Sequence, residues 1–408
     1  MLFESEDNTP VVRSDRPLRH RGVITAILKR LLAGLPAGRL TVVTPAGEYI
    51  HYQAAAQGPE AVLVFHTWRA LGHIILGGDV GFAEAYIAGE WSSPDLTALL
   101  AMAASNCDYF ERAILGCVPL RIFNRLRHLL NANSKSGSRR NIGFHYDLGN
   151  DFYRLWLDRS MTYSSALYEA PGQSLEDAQQ AKQRYILDLL ALDGGERVLE
   201  IGCGWGSLAA QLTRLEARVT ALTLSQQQLT HAQAVIGMHG RTGQAELRLQ
   251  DYRDVDGRFD RIVSIEMLEA VGEQYWPVYF KTLRERLRPG GKAVLQVITI
   301  REERFAQYRK GVDFIQRYVF PGGLLPTMEI IRQQTECAGL RLASVKLFGE
   351  SYALTLAEWR RRLLAAWPEI EQLGFQAPFR RLWEYYLSYC EAGFRAKDLD
   401  VGLYLISG

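Results

Sequence analysis

The segment Val198-Leu-Glu-Ile-Gly-Cys-Gly-Trp-Gly206 narrows the possible folds of this chain more than any other stretch. An apolar run ends at Gly202, glycines recur at Gly204 and Gly206, and a helical pattern opens at Leu208. Glycine lets a backbone turn tightly and come close to a ligand. A strand, a glycine loop and a helix in that order read as the first unit of a nucleotide-binding αβ series. The spacing is G-x-G-x-G, Ser207 stands where a dinucleotide fingerprint wants glycine, and Glu200 lies just before the first glycine. A smaller nucleoside with a polar tail fits this loop better than a crowded pyrophosphate. Glu200, Gly202, Cys203, Gly204 and Gly206 are therefore the first candidate cofactor contacts.

The series continues. Residues 197–202, 218–224, 247–251, 259–265 and 292–299 read as strands, 208–215 as a helix, and Ser225 as the cap of a helix running toward His239. Alternation with crossovers of this length predicts a parallel sheet with helices on both faces. Ligands then bind beyond the carboxyl ends of the strands. Thr223 ends the second strand with Gln228 one helical turn on, both placed for a ribose. Asp251 and Tyr252 close the third strand, where an acid can take an adenine amino group and a ring can stack on the base.

Before this series the pattern differs. Residues 12–30 hold six basic side chains against the single acid Asp15. Strands are expected over 40–44, 49–53 and 61–65, with Pro45-Ala-Gly47 as the first turn. A helix follows Ser92-Ser-Pro-Asp, with a serine cap and Pro94 near its first turn. Residues 119–140 carry Arg121, Arg125, Arg127, Lys135, Arg139 and Arg140 and no acid. Leucines and Phe123 lie among the first three arginines. Two readings stay open: a basic amphipathic helix that meets lipid headgroups, or a solvated helix leading into the Ser-rich linker 131–144.

Charge and cysteine content trim the functional classes. Lys+Arg total 47 against 45 acids, a net +2, so a dedicated nucleic-acid binder is not expected. Five cysteines without a C-x-x-C pair argue against a disulfide framework, and fit a reducing cytosol. His66, His145, His231 and His239 lack ligand spacing, so no metal site is expected. The opening MLFESEDNTP is not a secretory signal, and no run of 18 or more apolar residues occurs, so lipid contact would be peripheral.

The glycine loop resembles motif I of the class I S-adenosylmethionine-dependent methyltransferases, and the chain as a whole resembles the cyclopropane-fatty-acyl-phospholipid synthase family. The likeness rests on His145-Tyr-Asp-Leu-Gly-Asn-Asp-Phe-Tyr, Ser160-Met-Thr-Tyr-Ser164, Gln179-Gln-Ala-Lys182, Leu249-Gln-Asp-Tyr-Arg-Asp254, Tyr318-Val-Phe-Pro-Gly-Gly323, Ala365-Ala-Trp-Pro-Glu369 and Phe394-Arg-Ala-Lys-Asp398. Gly78 to Trp91 resembles the lipid-handling domain of the longer members. The resemblance implies an α/β fold: a Rossmann-like class I methyltransferase domain with a seven-stranded sheet over 145–408, and a smaller N-terminal α+β lipid-handling domain over 1–130. It implies last strands at 343–349 and 401–407, with helical insertions at 301–330 and 355–395 covering an acyl pocket. It further implies S-adenosylmethionine as cofactor, Tyr163 and Ser164 among its contacts, a phospholipid bearing an unsaturated acyl chain as substrate, a homo-oligomer, and a cytoplasmic protein held peripherally at the inner face of the membrane.

The family's reaction methylates an alkene and leaves a carbocation that must lose a proton, and a bound bicarbonate held by Cys, Glu, His and Tyr accepts it. Here Ser165 stands at the Cys position and Gln296 at the His position, whereas Glu269 and Tyr352 remain. Where the family often reads Gly-x-Phe-Glu-His, this chain reads Glu266-Met-Leu-Glu-Ala270. Glu266 is expected to replace bicarbonate as the base, with Glu269, Tyr352, Tyr318 and His145 as the remaining catalytic candidates. A cyclopropane or a methyl- or methylene-branched chain are the possible products, the branched one favoured. A methyltransferase of a small soluble acceptor is the rival enzyme; a non-catalytic lipid-binding protein is the rival outside enzymes.

Overall fold

The computed structural model describes residues 28, 32, 34–107, 109–110, 148–238 and 240–408. The basic stretch 119–140, the linker and His145 lie outside the described residues.

The N-terminal sheet comprises β1 (Ala37–Val43), β2 (Tyr49–Gln53), β3 (Ala56–Phe65) and β4 (Trp91–Ser92), in the order β2-β1-β3-β4. Gly47 turns β1 into β2 at a left-handed φ of +79°. Leu40 and Val42 of β1 and Leu63 and Phe65 of β3 alternate inward, as a half-buried sheet requires. Helix α1 (Arg69–Ile87) breaks at Gly78, whose φ of 60° and ψ of −135° suit only glycine. Helix α2 (Leu96–Ser105) is capped by Asp95, whose carboxylate accepts from the Ala98 N–H at 2.9 Å. Ser92, the sequence-based choice of cap, lies in β4 instead, because pairing with Val64 holds it in the sheet.

After α3 (Asn150–Arg154) and α4 (Leu175–Leu190) the αβ series begins: β5 (Arg197–Ile201), α5 (Ser207–Arg214), β6 (Arg218–Thr223), α6 (Gln226–Met238), β7 (Ala245–Leu249), β8 (Phe259–Ile265), α7 (Leu268–Val271), α8 (Trp276–Arg286) and β9 (Leu287–Ile300). Helices α9 (Glu302–Tyr308), α10 (Phe314–Tyr318) and α11 (Met328–Cys337) separate β9 from β10 (Arg341–Leu347). Helices α12 (Gly349–Ala365), α13 (Trp367–Gln372) and α14 (Ala377–Arg395) separate β10 from β11 (Leu399–Ser407). The seven-stranded order is β10-β11-β9-β8-β5-β6-β7. Strands β5 to β9 run parallel, and β11 is antiparallel to both its neighbours. The strand order reverses beside β5, so the glycine loop opens at the switch point where such sheets bind ligands.

Helix α14 joins the two parts. Trp383, Tyr385, Tyr386 and Leu387 are buried on it. Tyr385 meets Tyr86 of α1 with ring centroids 5.7 Å apart, and buried Glu391 accepts from Thr97 of α2 at 3.1 Å.

Candidate active site

One cavity of about 790 Å³ reaches from the glycine loop through the helical insertions into the N-terminal domain. At the loop, Gly202, Gly204 and Gly206 adopt φ of +82°, +50° and +88°. A Cβ on Gly202 would collide with Met267, and one on Gly206 would lie 2.7 Å from the Ala232 Cβ, whereas the space over Gly204 is open. The loop therefore presents bare backbone to a ligand.

The surrounding walls fit the expected cofactor. Glu200 is buried and lines the cavity, yet its Oε2 accepts no hydrogen bond from any described residue. Burial pushes its carboxyl up to about 8. A buried carboxyl oxygen left without a donor suits a ligand ammonium, such as that of a methionine moiety. Thr223 donates from Oγ1 to Gln228 Oε1 at 2.8 Å, and both line the cavity, as does Tyr252. Cys203 also lines it, with a thiol that burial pushes well above its usual range. Tyr163 and Ser164 complete this end: the hydroxyls of Tyr163 and Tyr386 are 2.9 Å apart, and Ser164 Oγ accepts from Lys182 Nζ at 2.6 Å. Asp251 does not line the cavity. Its carboxylate takes the Arg253 backbone N–H at 2.9 Å and the Arg253 guanidinium at 2.8 and 2.6 Å. An arginine two residues on has claimed the acid expected on adenine.

Beyond the loop the structure brings Glu266, Glu269 and Tyr352 into one wall. Glu266 Oε1 accepts from the Ser165 N–H at 2.9 Å and from Gln296 Nε2 at 2.7 Å; Oε2 accepts from the Tyr352 hydroxyl at 2.7 Å. At the family's Cys and His positions, Ser165 thus holds the carboxylate through its backbone N–H and Gln296 through its side chain, alongside the retained Tyr352. Loss of water pushes the Glu266 carboxyl up, while its three donors and the Lys182 charge oppose that rise. Burial, reinforced by the Glu266 charge, pushes Glu269 up to about 8. Glu269 Oε1 accepts from the Ile298 N–H at 2.5 Å, and its Oε2 has no partner among the described residues.

Tyr318 lies elsewhere. Its hydroxyl donates to Glu84 of α1 at 2.5 Å, beside an Arg317–Glu84 ion pair at 3.0 Å, so it fastens the domains together and does not line the cavity. Lys182 was quoted in the sequence only as part of a motif. It is fully buried, and burial lowers its ammonium to about 8 against the pull of Glu266 and Asp158. The signal was the i, i+3 spacing of Gln179 and Lys182, which puts both on one face of α4; Gln179 holds the Ser164 carbonyl at 2.9 Å. Among the described residues no cluster of His, Cys, Asp and Glu could hold a metal, and no helix is long and apolar enough to cross a membrane.

Residues 133–403 match the family model described as mycolic acid cyclopropane synthetase. The tuberculostearic acid methyltransferase UfaA1 of Mycobacterium tuberculosis is 40% identical over 333 residues, covering 79% of this chain and 78% of that protein. The cyclopropane-fatty-acyl-phospholipid synthase of Escherichia coli K12 is 35% identical over 342 residues, covering 80% and 83%. Among solved structures, the mycolic acid cyclopropane synthase CmaA1 complexed with SAH and CTAB superposes with a TM-score of 0.62 at 30% identity, covering 66% of this chain and 98% of that one. Coclaurine N-methyltransferase, at 20% identity and a TM-score of 0.54, shares the fold alone. With most of its length matched, and its glycine loop at the switch point of a seven-stranded class I methyltransferase sheet, this chain belongs to the mycolic acid cyclopropane synthetase family.

Proposed function

We propose that this enzyme adds the methyl group of S-adenosylmethionine to the double bond of an unsaturated acyl chain in a membrane phospholipid, and that Glu266 removes the proton that ends the reaction. The observation that carries this reading is the Glu266 carboxylate, clamped by Ser165, Gln296 and Tyr352 where the polar cofactor end of the cavity meets its apolar remainder. Bound S-adenosylmethionine supplies an electrophilic methyl carbon. Glu200, Thr223, Gln228 and Tyr252 hold it, and the open backbone at Gly204 lets it lie close. The apolar walls align the acyl chain and exclude water. Methylation of the olefin leaves a positive charge on the chain, and the aromatic faces of Tyr386 and Phe320 tolerate it without offering a nucleophile.

Glu266 then accepts one proton, and the electrons of that C–H bond quench the cation. A carboxylate built into the chain takes the place of bicarbonate, so a Cys and a His ligand are no longer needed. The position of this fixed base favours loss of a proton from a chain carbon, giving a methylene- or methyl-branched olefin instead of a ring. A small polar acceptor would leave these apolar walls wet and unfilled. The reaction belongs at the inner face of the membrane, on a peripherally bound homo-oligomer.

Glu266→Gln keeps the shape and most hydrogen bonds but removes the base. It is expected to lower turnover on phospholipid vesicles by about a thousandfold, the range of general-base losses, while equilibrium binding of S-adenosylmethionine is retained. Full activity in this variant overturns the assignment. Mass spectrometry of lipids from a host lacking such an enzyme identifies the product.

A further inference from the structure

Among the described residues the cavity extends in two apolar arms, and its solvent-exposed lining forms a mouth. Its lining residues that are exposed to solvent fall in two short stretches: Leu76 and Asp79 at the α1 break, and Gln307, Lys310 and Gly311 at the end of α9. Asp79 lies near enough to Asp313, two residues past Gly311, for their charges to interact. From there one arm runs to Tyr352, Glu266 and the glycine loop. The other runs into the N-terminal domain, where Leu40, Leu63, Phe65, Leu99 and Met102 line it although each is less than 9% exposed. A core residue normally has neighbours on every side. Here the inward faces of β1, β3 and α2 border empty space that is continuous with the reaction chamber. Among the described residues that part of the wall is apolar apart from Arg304, whose guanidinium donates to the Cys107 thiol at 2.8 Å beyond the end of α2.

We propose that the N-terminal arm holds the second, non-reacting acyl chain of a diacyl glycerophospholipid, while the unsaturated chain occupies the arm that ends at Glu266. This deepens the proposed function and rests on it. A lipid with two chains needs two apolar channels that diverge from one polar site. The mouth supplies that site: Lys310 offers a cation for the phosphodiester, and Gln307 offers hydrogen bonds for the ester oxygens. Leu76, 58% exposed, and Ile75, 41% exposed, place apolar surface at the same rim, where a lipid leaving the bilayer would first touch the protein. A single chain would fill one arm and leave the other as an apolar void.

The test compares one diacyl with one single-chain substrate. Wild-type protein and Ala103→Phe, which narrows the N-terminal arm from α2, are given S-adenosylmethionine with either 1-palmitoyl-2-oleoyl phosphatidylethanolamine vesicles or oleoyl lysophosphatidylethanolamine. The variant is expected to lose about tenfold in kcat/KM on the diacyl lipid and to stay within about twofold on the single-chain lipid. Equal losses on both, or none on either, overturn the inference. Should the variant fail to fold, wild-type protein is photolabelled with a phosphatidylethanolamine carrying a diazirine at the end of its saturated chain. Adducts within 61–65 or 96–105 support the inference, and adducts confined to other regions overturn it. If the wild-type protein turns over neither lipid, the proposed function itself fails. If it turns over both and the variant's ratio does not move, only the second-chain site fails.

Discussion

Glu266 occupies a backbone position made for glycine. Its φ is +50°, the left-handed region, and the family pattern often carries Gly there. Holding a side-chain-bearing residue in that conformation costs about 1–3 kcal/mol, a strain that persists where function requires it. Three hydrogen bonds to the carboxylate offset that cost. Removing the side chain in Glu266→Gly relaxes the backbone and leaves a pocket rimmed by the Ser165 N–H, Gln296 Nε2, the Tyr352 hydroxyl and the Lys182 ammonium. Such a pocket is a receptor for a small oxyanion. Added bicarbonate or formate is therefore expected to restore turnover about tenfold or more above the anion-free variant; a folded, cofactor-binding variant that no anion revives would contradict the base role. Glu200 gives a second prediction. Its carboxyl rises from an ordinary 4.5 to about 8 on folding. The folded state thus holds a proton that the unfolded state has released, so stability is full below pH about 4.5 and is lost as pH climbs through about 8. Melting temperatures of the cofactor-free protein should fall across that window, and Glu200→Gln should flatten the slope while weakening S-adenosylmethionine binding.

At the scale of elements, the loop after β5 works because its glycines are strained for anything larger. Gly206→Ala places a methyl group 2.7 Å from the Ala232 Cβ on α6 at a φ of +88°. It is expected to cost about 1–3 kcal/mol in stability and to weaken cofactor binding, read by denaturation and calorimetric titration; an unchanged affinity would show that the loop does not carry the ligand. The strands of this series were legible from their apolar runs, and β8 begins and ends where the pattern does. Strand β9 starts at Leu287, five residues before its apolar run, because Leu287 already pairs with Phe259 and Pro289-Gly-Gly291 lies in an irregularity before the ladder resumes at Arg261–Lys292. The cap of α2 was not legible, since Ser92 and Asp95 both suit the role and only pairing in β4 decides between them. The same holds in the site. Glu266 stood out because it breaks a pattern. The fate of Tyr318 depends on Glu84, 234 residues away, a partner that no local spacing reveals, whereas the Arg253 that binds Asp251 stands only two residues on.

Across the whole molecule, one buried polar link between the two parts passes through Glu391. It is buried, and accepts from Thr97 at 3.1 Å, Arg360 at 3.0 Å and Arg395 at 2.8 Å. Glu391→Ala strands the arginines beside a core and should cost about 3 kcal/mol in global stability, with protease cuts appearing first between the domains; an unaltered denaturation midpoint would place the cohesion elsewhere. The joined interior has a chemical consequence. Because α1 and α2 supply part of the wall, the N-terminal domain closes one side of the cavity. Deleting or prying it loose should yield a leaking reactor, in which solvent captures the cationic chain before the carboxylate can act and an alcohol accumulates alongside the olefin.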